Sequence, residues 1–152
     1  MADKIFRVNM SDLSTKVEPV PAAWLGLGGR GLTSTVVATE VIPTCQPLGR
    51  HNKLVIAPGL LSGTPAANSG RLSCGAKSPL TGTIKEANAG GTSAQMLAKL
   101  GVKALIVEGK PQDESKWYSL HVTRDGVTIS EETEVIGLGN FATVKVLNQR
   151  LG

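Results

Sequence analysis

The sequence predicts an α+β fold in a single domain, with mostly antiparallel β-sheets and a few packed helices. Three observations carry that expectation. Short apolar or alternating runs recur between clusters of turn residues, and they form hairpins as often as strand–helix–strand units. Helical spacing is visible in only three stretches. The composition of the 152 residues, 41% hydrophobic and 18% charged, with mean hydropathy near zero, suits one globular domain rather than a disordered chain. The aromatic residues are five, Phe6, Trp24, Trp117, Tyr118 and Phe141, so the core is expected to be aliphatic. They are too scattered to form a base-stacking surface for single-stranded nucleic acid.

Taken in order, Lys4 to Asn9 alternates and reads as a strand, Ser11 to Ser14 supplies a turn, and Lys16–Glu18 returns before Pro19 and Pro21. After Gly31, the residues Leu32, Val36, Val37 and Val41 share one helical face, and Pro43 marks the stop. Leu54–Ala57 is a buried strand by its continuous apolar run, and Arg71–Lys77 is a strand of small side chains. Ala87–Gly91 reads as a glycine-rich loop. It leads into a helix carrying Met96, Leu97 and Leu100, with Thr92 or Ser93 at its start and Gly101 just past its end. Val102–Glu108 is the next strand, expected to pack with that helix. Trp117–Thr123 and Val127–Ser130 flank Asp125-Gly126, the strongest hairpin signal in the chain. Asn140 is expected to cap a last helix with Phe141, Val144 and Leu151 on one face.

The start Met1-Ala-Asp-Lys-Ile has no basic segment followed by an apolar one, so no secretory signal is read there. The uncharged stretch from Leu54 to Gly70 is broken by prolines and glycines and is too short to span a bilayer. Cys45 and Cys74 stand 29 residues apart with no partner at ligand spacing, which indicates neither a metal site nor a disulfide framework. The expected address is the cytoplasm, with no membrane partner.

Charge and glycine are unevenly distributed. From Gly26 to Lys103 there are eight basic residues against two acidic ones, and 13 of the 18 glycines. From Pro111 to Glu134 the balance reverses, with six acidic residues against two basic ones. A basic, glycine-rich middle points to an anionic ligand approached closely by backbone. Gly26, Gly28 and Gly31 match the dinucleotide-binding glycine pattern. The strand that must precede it and the acid about 20 residues on are missing. What remains is physical. Free amides at the start of the first helix face whatever covers Gly28–Gly31, and Arg30 adds charge. Asn88-Ala89-Gly90-Gly91 before the second helix has the same design, and Asn88 can give its amide to a phosphate or its carbonyl oxygen to a hard cation. Arg71 lies between the two segments in sequence. His51 and His121 have no catalytic company, no basic recognition helix is visible, and nucleic acid is not an expected partner.

These residues also carry a resemblance. Gly28-Gly29-Arg30-Gly31-Leu32, Pro58-Gly59-Leu60-Leu61-Ser62-Gly63-Thr64-Pro65, Ser69-Gly70-Arg71, Lys77 to Ile84, Asn88-Ala89-Gly90-Gly91 and Ile106 to Lys110 follow one another in order. In order and spacing the chain resembles the N-terminal domain of the tungsten-containing aldehyde:ferredoxin oxidoreductases, from about Lys4 to its end.

The resemblance implies a base of β-sheets under a tungsten bis-pterin cofactor, whose two phosphates are bridged by Mg²⁺. It implies that Arg71 lies between the pterin and a [4Fe–4S] cluster, and that Asn88, Ala89, Gly90 and Gly91 hold the phosphate and Mg²⁺ end. Gly29, Arg30 and Gly31 match a family motif and are expected near the cofactor. Cys45 and Cys74 match no cluster-ligand position, so the cluster ligands and the acid–base residues are expected outside residues 1–152, in an apparently truncated domain completed by the rest of the oxidoreductase in the same or another chain. The implied enzyme oxidises an aldehyde to a carboxylate, with ferredoxin as electron partner; a homodimer is left open. Two alternatives use the same loops: a non-catalytic module binding a phosphorylated small molecule, and an inactive domain fragment.

Overall fold

The computed structural model describes residues 4–151. Eight strands are present. They are β1 (Lys4–Asn9), β2 (Ser14–Pro19), β3 (Lys53–Pro58), β4 (Arg71–Lys77), β5 (Ile84–Gly90), β6 (Val102–Glu108), β7 (Trp117–Val122) and β8 (Val127–Glu132). Three α-helices accompany them: α1 (Gly29–Glu40), α2 (Ser93–Lys99) and α3 (Asn140–Leu151), with a single 3₁₀ turn at Ala22–Trp24. The first six strands form one sheet in the order β2-β1-β6-β3-β4-β5, and β7 and β8 make a separate hairpin. Every pairing is antiparallel except β1 with β6. This is the α+β architecture the sequence predicts.

The sheet is covered on both faces. On one face α1 lies across β3, β4 and β5, and Leu32, Val36 and Val37 pack with Ile5, Val55, Ala57, Ala104 and Ile106. On the other face α2 and the β7–β8 hairpin close a second cluster around Phe6, Val8, Val102 and Leu105, with Val127 buried and Leu97, Leu120 and Ile129 against it. The approach of α1 is close because β4 offers no side chain there. A Cβ on Gly75 would stand 2.6 Å from Cβ of Thr33.

Most elements fall where periodicity places them, with four differences. The first helix begins at Gly29 instead of after Gly31, so the glycine motif forms its first turn. Residues 84–90, expected to end in a loop, are a full strand paired with β4 from Arg71↔Gly90 to Lys77↔Ile84. Thr92 precedes α2 without a side-chain capping bond; the other end behaves as expected, with Gly101 at φ 83° in the left-handed region that glycine reaches freely. The last helix forms, but it buries none of its described residues, and Phe141 is 94% exposed.

Candidate functional site

The sequence-marked residues meet at one end of the large sheet. Here α1 begins, the turn after β3 passes through Gly59, β4 begins at Arg71 and β5 ends at Gly90. Packing at this rim is backbone on backbone. A Cβ on Gly28 would stand 2.5 Å from the amide nitrogen of Leu60. Gly29 is buried with φ 50°, and a Cβ there would meet Ser73 Oγ at 3.2 Å. Only glycine satisfies both the dihedral angle and the space.

Arg71 is held by its backbone and left free at its tip. Its N–H donates to the carbonyl of Ser69 at 2.9 Å, and its own carbonyl accepts from Gly59 N–H at 2.8 Å. The buried Ser62 hydroxyl donates to Ser69 O at 2.8 Å and braces the same turn. The guanidinium has no carboxylate or hydrogen-bond partner among the described residues, and the residue is exposed.

Directly opposed residues of an antiparallel pair share a face. The register Arg71↔Gly90, Ser73↔Asn88 and Gly75↔Glu86 therefore places all six on the side where α1 lies. The buried Ser73 hydroxyl donates to Asn88 Oδ1 at 2.9 Å. Ala89 pairs with Leu72 and faces away from α1, so it reaches this surface only through its backbone.

Arg30 and Gly31 each have a distinct setting here. Arg30 is not a free charge: its Nε donates to Glu86 Oε2 at 3.0 Å, and the Glu86 side chain is only 8% exposed. The pair ties the first turn of α1 to β5. Gly31 lies on the exposed side of that turn, where an added Cβ would come within 3.9 Å of Leu27 Cδ2. No side chain caps α1, and the amides of Gly29, Arg30 and Gly31 have no acceptor among the described residues. Those amides and the helix dipole present partial positive charge at the rim.

Ser62, Ser73, Glu86 and Lys103 are contributors that the sequence reading passed over. Lys103 is buried, and its Nζ donates to Leu25 O at 3.0 Å, fixing the approach to α1; burial lowers its ammonium pKa. Ser73 and Glu86 had a signal, since Arg71, Ser73 and Gly75 alternate onto one face. It becomes usable only once 84–90 is known to be a strand.

Two concave spaces lie away from this rim. One of about 290 Å³ is bordered by Glu40, Lys53 and Glu108, and another of about 320 Å³ by Asp12, Asp113 and Tyr118. Among the described residues, no group of three or more His, Cys, Asp and Glu side chains is placed to hold a metal ion. No helix among them is long and apolar enough to cross a membrane.

Residues 5–152 match the family model "Aldehyde ferredoxin oxidoreductase, N-terminal domain". The chain belongs to that family. It is similar to the tungsten-containing aldehyde ferredoxin oxidoreductases of Pyrococcus furiosus, at 35% identity, and Thermococcus kodakarensis, at 36%. Each alignment covers 98% of this chain and 24% of the relative, so the chain spans about a quarter of the length of these proteins. Among solved structures it resembles the active-site complex BamBC of benzoyl coenzyme A reductase in complex with 1,5-dienoyl-CoA. That likeness has a TM-score of 0.91 and 26% identity, over 99% of this chain and 23% of that one. The fold of this aldehyde ferredoxin oxidoreductase-type domain is thus shared with an enzyme named for a different substrate.

Proposed function

We propose that this chain is the cofactor-bearing part of an oxidoreductase that converts an aldehyde to a carboxylate, its rim holding the phosphate end of a tungsten bis-pterin. The observation that supports this most is the unpaired guanidinium of Arg71 beside the bare strand at Gly90 and the uncapped first turn of α1. Permanent charge, free amides and absent side chains on one face suit a flat ligand with anionic ends. The residues present therefore fit the group.

In this reading Arg71 lies between the pterin and a [4Fe–4S] cluster whose ligands are outside these residues. Its planar charge favours the more reduced, more negative state of both. Asn88, Gly90 and Gly91, with the backbone of Ala89, would hold the phosphate and Mg²⁺ end of the group. Gly29, Arg30 and Gly31 supply amides from the other side, Arg30 by holding its turn against Glu86. When bound, the tungsten pterin supplies the two-electron chemistry between aldehyde and carboxylate, and this chain supplies binding and electrostatics. A cluster held outside these residues would supply the electron route to ferredoxin.

The test is metal and phosphorus analysis of the complete enzyme, purified without oxygen from tungstate-fed cells. Tungsten with about four irons in the wild type, and a several-fold loss of tungsten in Arg71→Ala, is the expected result. Unchanged tungsten and turnover in Arg71→Ala would remove Arg71 from the site. Phosphorus without tungsten or iron would favour a non-catalytic module for a phosphorylated small molecule.

A further inference from the structure

We infer that Ser73 is a positioning residue that turns the side-chain amide of Asn88 outward as a hydrogen-bond donor, so that this side chain serves a phosphate and not a cation. The inference rests on the cofactor reading above and goes beyond it by choosing between the two things an asparagine can offer. Ser73 Oγ and Asn88 Oδ1 are 2.9 Å apart across the β4–β5 pair. A hydroxyl and a carboxamide can share a proton in either direction, because the amide can flip. The surroundings decide it here. Ser73 is 2% exposed, and its oxygen lies against Gly29, 3.2 Å from where a Cβ would stand.

Gly29 opens α1, the positive end of an uncapped twelve-residue helix. That field draws the lone pairs of the hydroxyl towards the helix and leaves its proton for Asn88. The carbonyl oxygen of Asn88 is then occupied from beneath. Its Nδ2 has no acceptor among the described residues, and Asn88 is exposed on the face that carries the free guanidinium of Arg71 two cross-strand pairs away. Two donors of the same sense side by side make an anion site, whereas a hard cation needs oxygen ligands.

The two roles respond oppositely to a charge placed on the same atoms. In the complete enzyme loaded in tungstate-fed cells, tungsten and phosphorus per chain are measured after gel filtration for wild type, Asn88→Ala and Asn88→Asp. Melting temperatures of the unloaded proteins serve as the folding control. Asn88→Asp is expected to retain roughly fivefold less cofactor than wild type, and less than Asn88→Ala, because a carboxylate repels phosphate. Ser73→Ala is expected to lower retention in the wild type and to have no further effect in an Asn88→Ala background, a coupling that a purely structural serine would not show. Retention in Asn88→Asp equal to or above that of Asn88→Ala, or additive effects of Ser73→Ala, overturns the inference while leaving a loaded wild type intact. A wild type without tungsten would instead defeat the cofactor reading itself, and this inference with it.

Discussion

Arg71 and Gly90 face each other across β4 and β5, and Nη1 of the arginine lies 3.7 Å from where a Cβ on Gly90 would stand. That is ordinary van der Waals distance, so this chain has room for a side chain on Gly90. Gly90 is not among the residues with positive φ. In a strand, glycine is about 0.5–1 kcal/mol worse than alanine, so the fold alone gives no reason for it. We expect Gly90→Ala to leave the melting temperature of the unloaded protein unchanged or slightly raised, while tungsten content falls. Full tungsten content in Gly90→Ala would place the cofactor away from this strand.

Gly75 gives the contrast. A methyl group there meets Thr33 Cβ at 2.6 Å and Oγ1 at 2.8 Å, with α1 already seated on β4. Overpacking of this kind costs about 1–3 kcal/mol. Gly75→Ala should lower the denaturant midpoint by the corresponding amount with an unchanged slope. A midpoint equal to wild type would mean that α1 is free to lift from the sheet.

The difference between these glycines separates what the sequence shows from what only the fold shows. Strands β1, β3, β4 and β6 and the β7–β8 hairpin are legible because each has a continuous or alternating apolar run or a clear turn. Strand β5 is not: Ile84-Lys85-Glu86-Ala87-Asn88-Ala89-Gly90 is an edge strand with six exposed residues, and it carries no burial pattern to read. Its register is what puts Gly90 opposite Arg71 and Asn88 opposite Ser73. Arg30 was legible as a charge near the site, but its partner Glu86 is 56 residues away and is found only through the packing of α1 against β5. The parallel pairing of β1 with β6 likewise joins distant segments, and no local pattern announces it.

At the other end of α1, a charge network should set the acid limit of stability. Arg7 grips Glu40 with two hydrogen bonds of 2.7 and 2.8 Å, and Lys53 donates to Glu40 and to Glu108. Burial alone would raise the Glu40 pKa, but the bonds from Arg7 and Lys53 outweigh it and hold the carboxyl below its ordinary value. A depressed carboxyl contributes stability that is complete above the unfolded pKa of about 4.3 and is lost as pH falls through the folded value. Lys53 is raised, since the bonds to Glu108 and Glu40 outweigh burial. Its contribution is present below the ordinary lysine value and is lost only as pH rises through the raised one. Stability should therefore be flat around neutrality and fall in acid. In Glu40→Gln that acid slope should be shallower, measured as urea midpoints from pH 3 to 8. An identical slope in both proteins would assign the acid limit to other carboxylates.

The attachment of α3 centres on Arg150, which pairs with Glu132 and, more distantly, with Glu134. Arg150 donates through Nη1 and Nη2 to the two oxygens of Glu132 at 3.0 and 2.7 Å, and the Glu132 side chain is only 4% exposed. The Arg150 bonds hold the Glu132 carboxyl down to about 2. α3 fully buries none of its described residues, and Val146 and Leu147 are half-buried, so this pair is the side-chain hydrogen bonding that ties the helix to β8. Two effects should follow in Arg150→Gln. The Glu132 carboxyl, followed by carbon NMR, should titrate higher than the value of about 2 at which the arginine bonds help to hold it. Amide exchange in residues 140–151 should quicken, while amides of β1 and β6 keep their protection. In the wild type the same release should occur as pH falls below the ordinary carboxylate range, because protonating Glu132 removes the acceptor for both arginine bonds. If α3 stays protected in Arg150→Gln, its half-buried Val146 and Leu147 hold it, and the ion pair only adds to that contact.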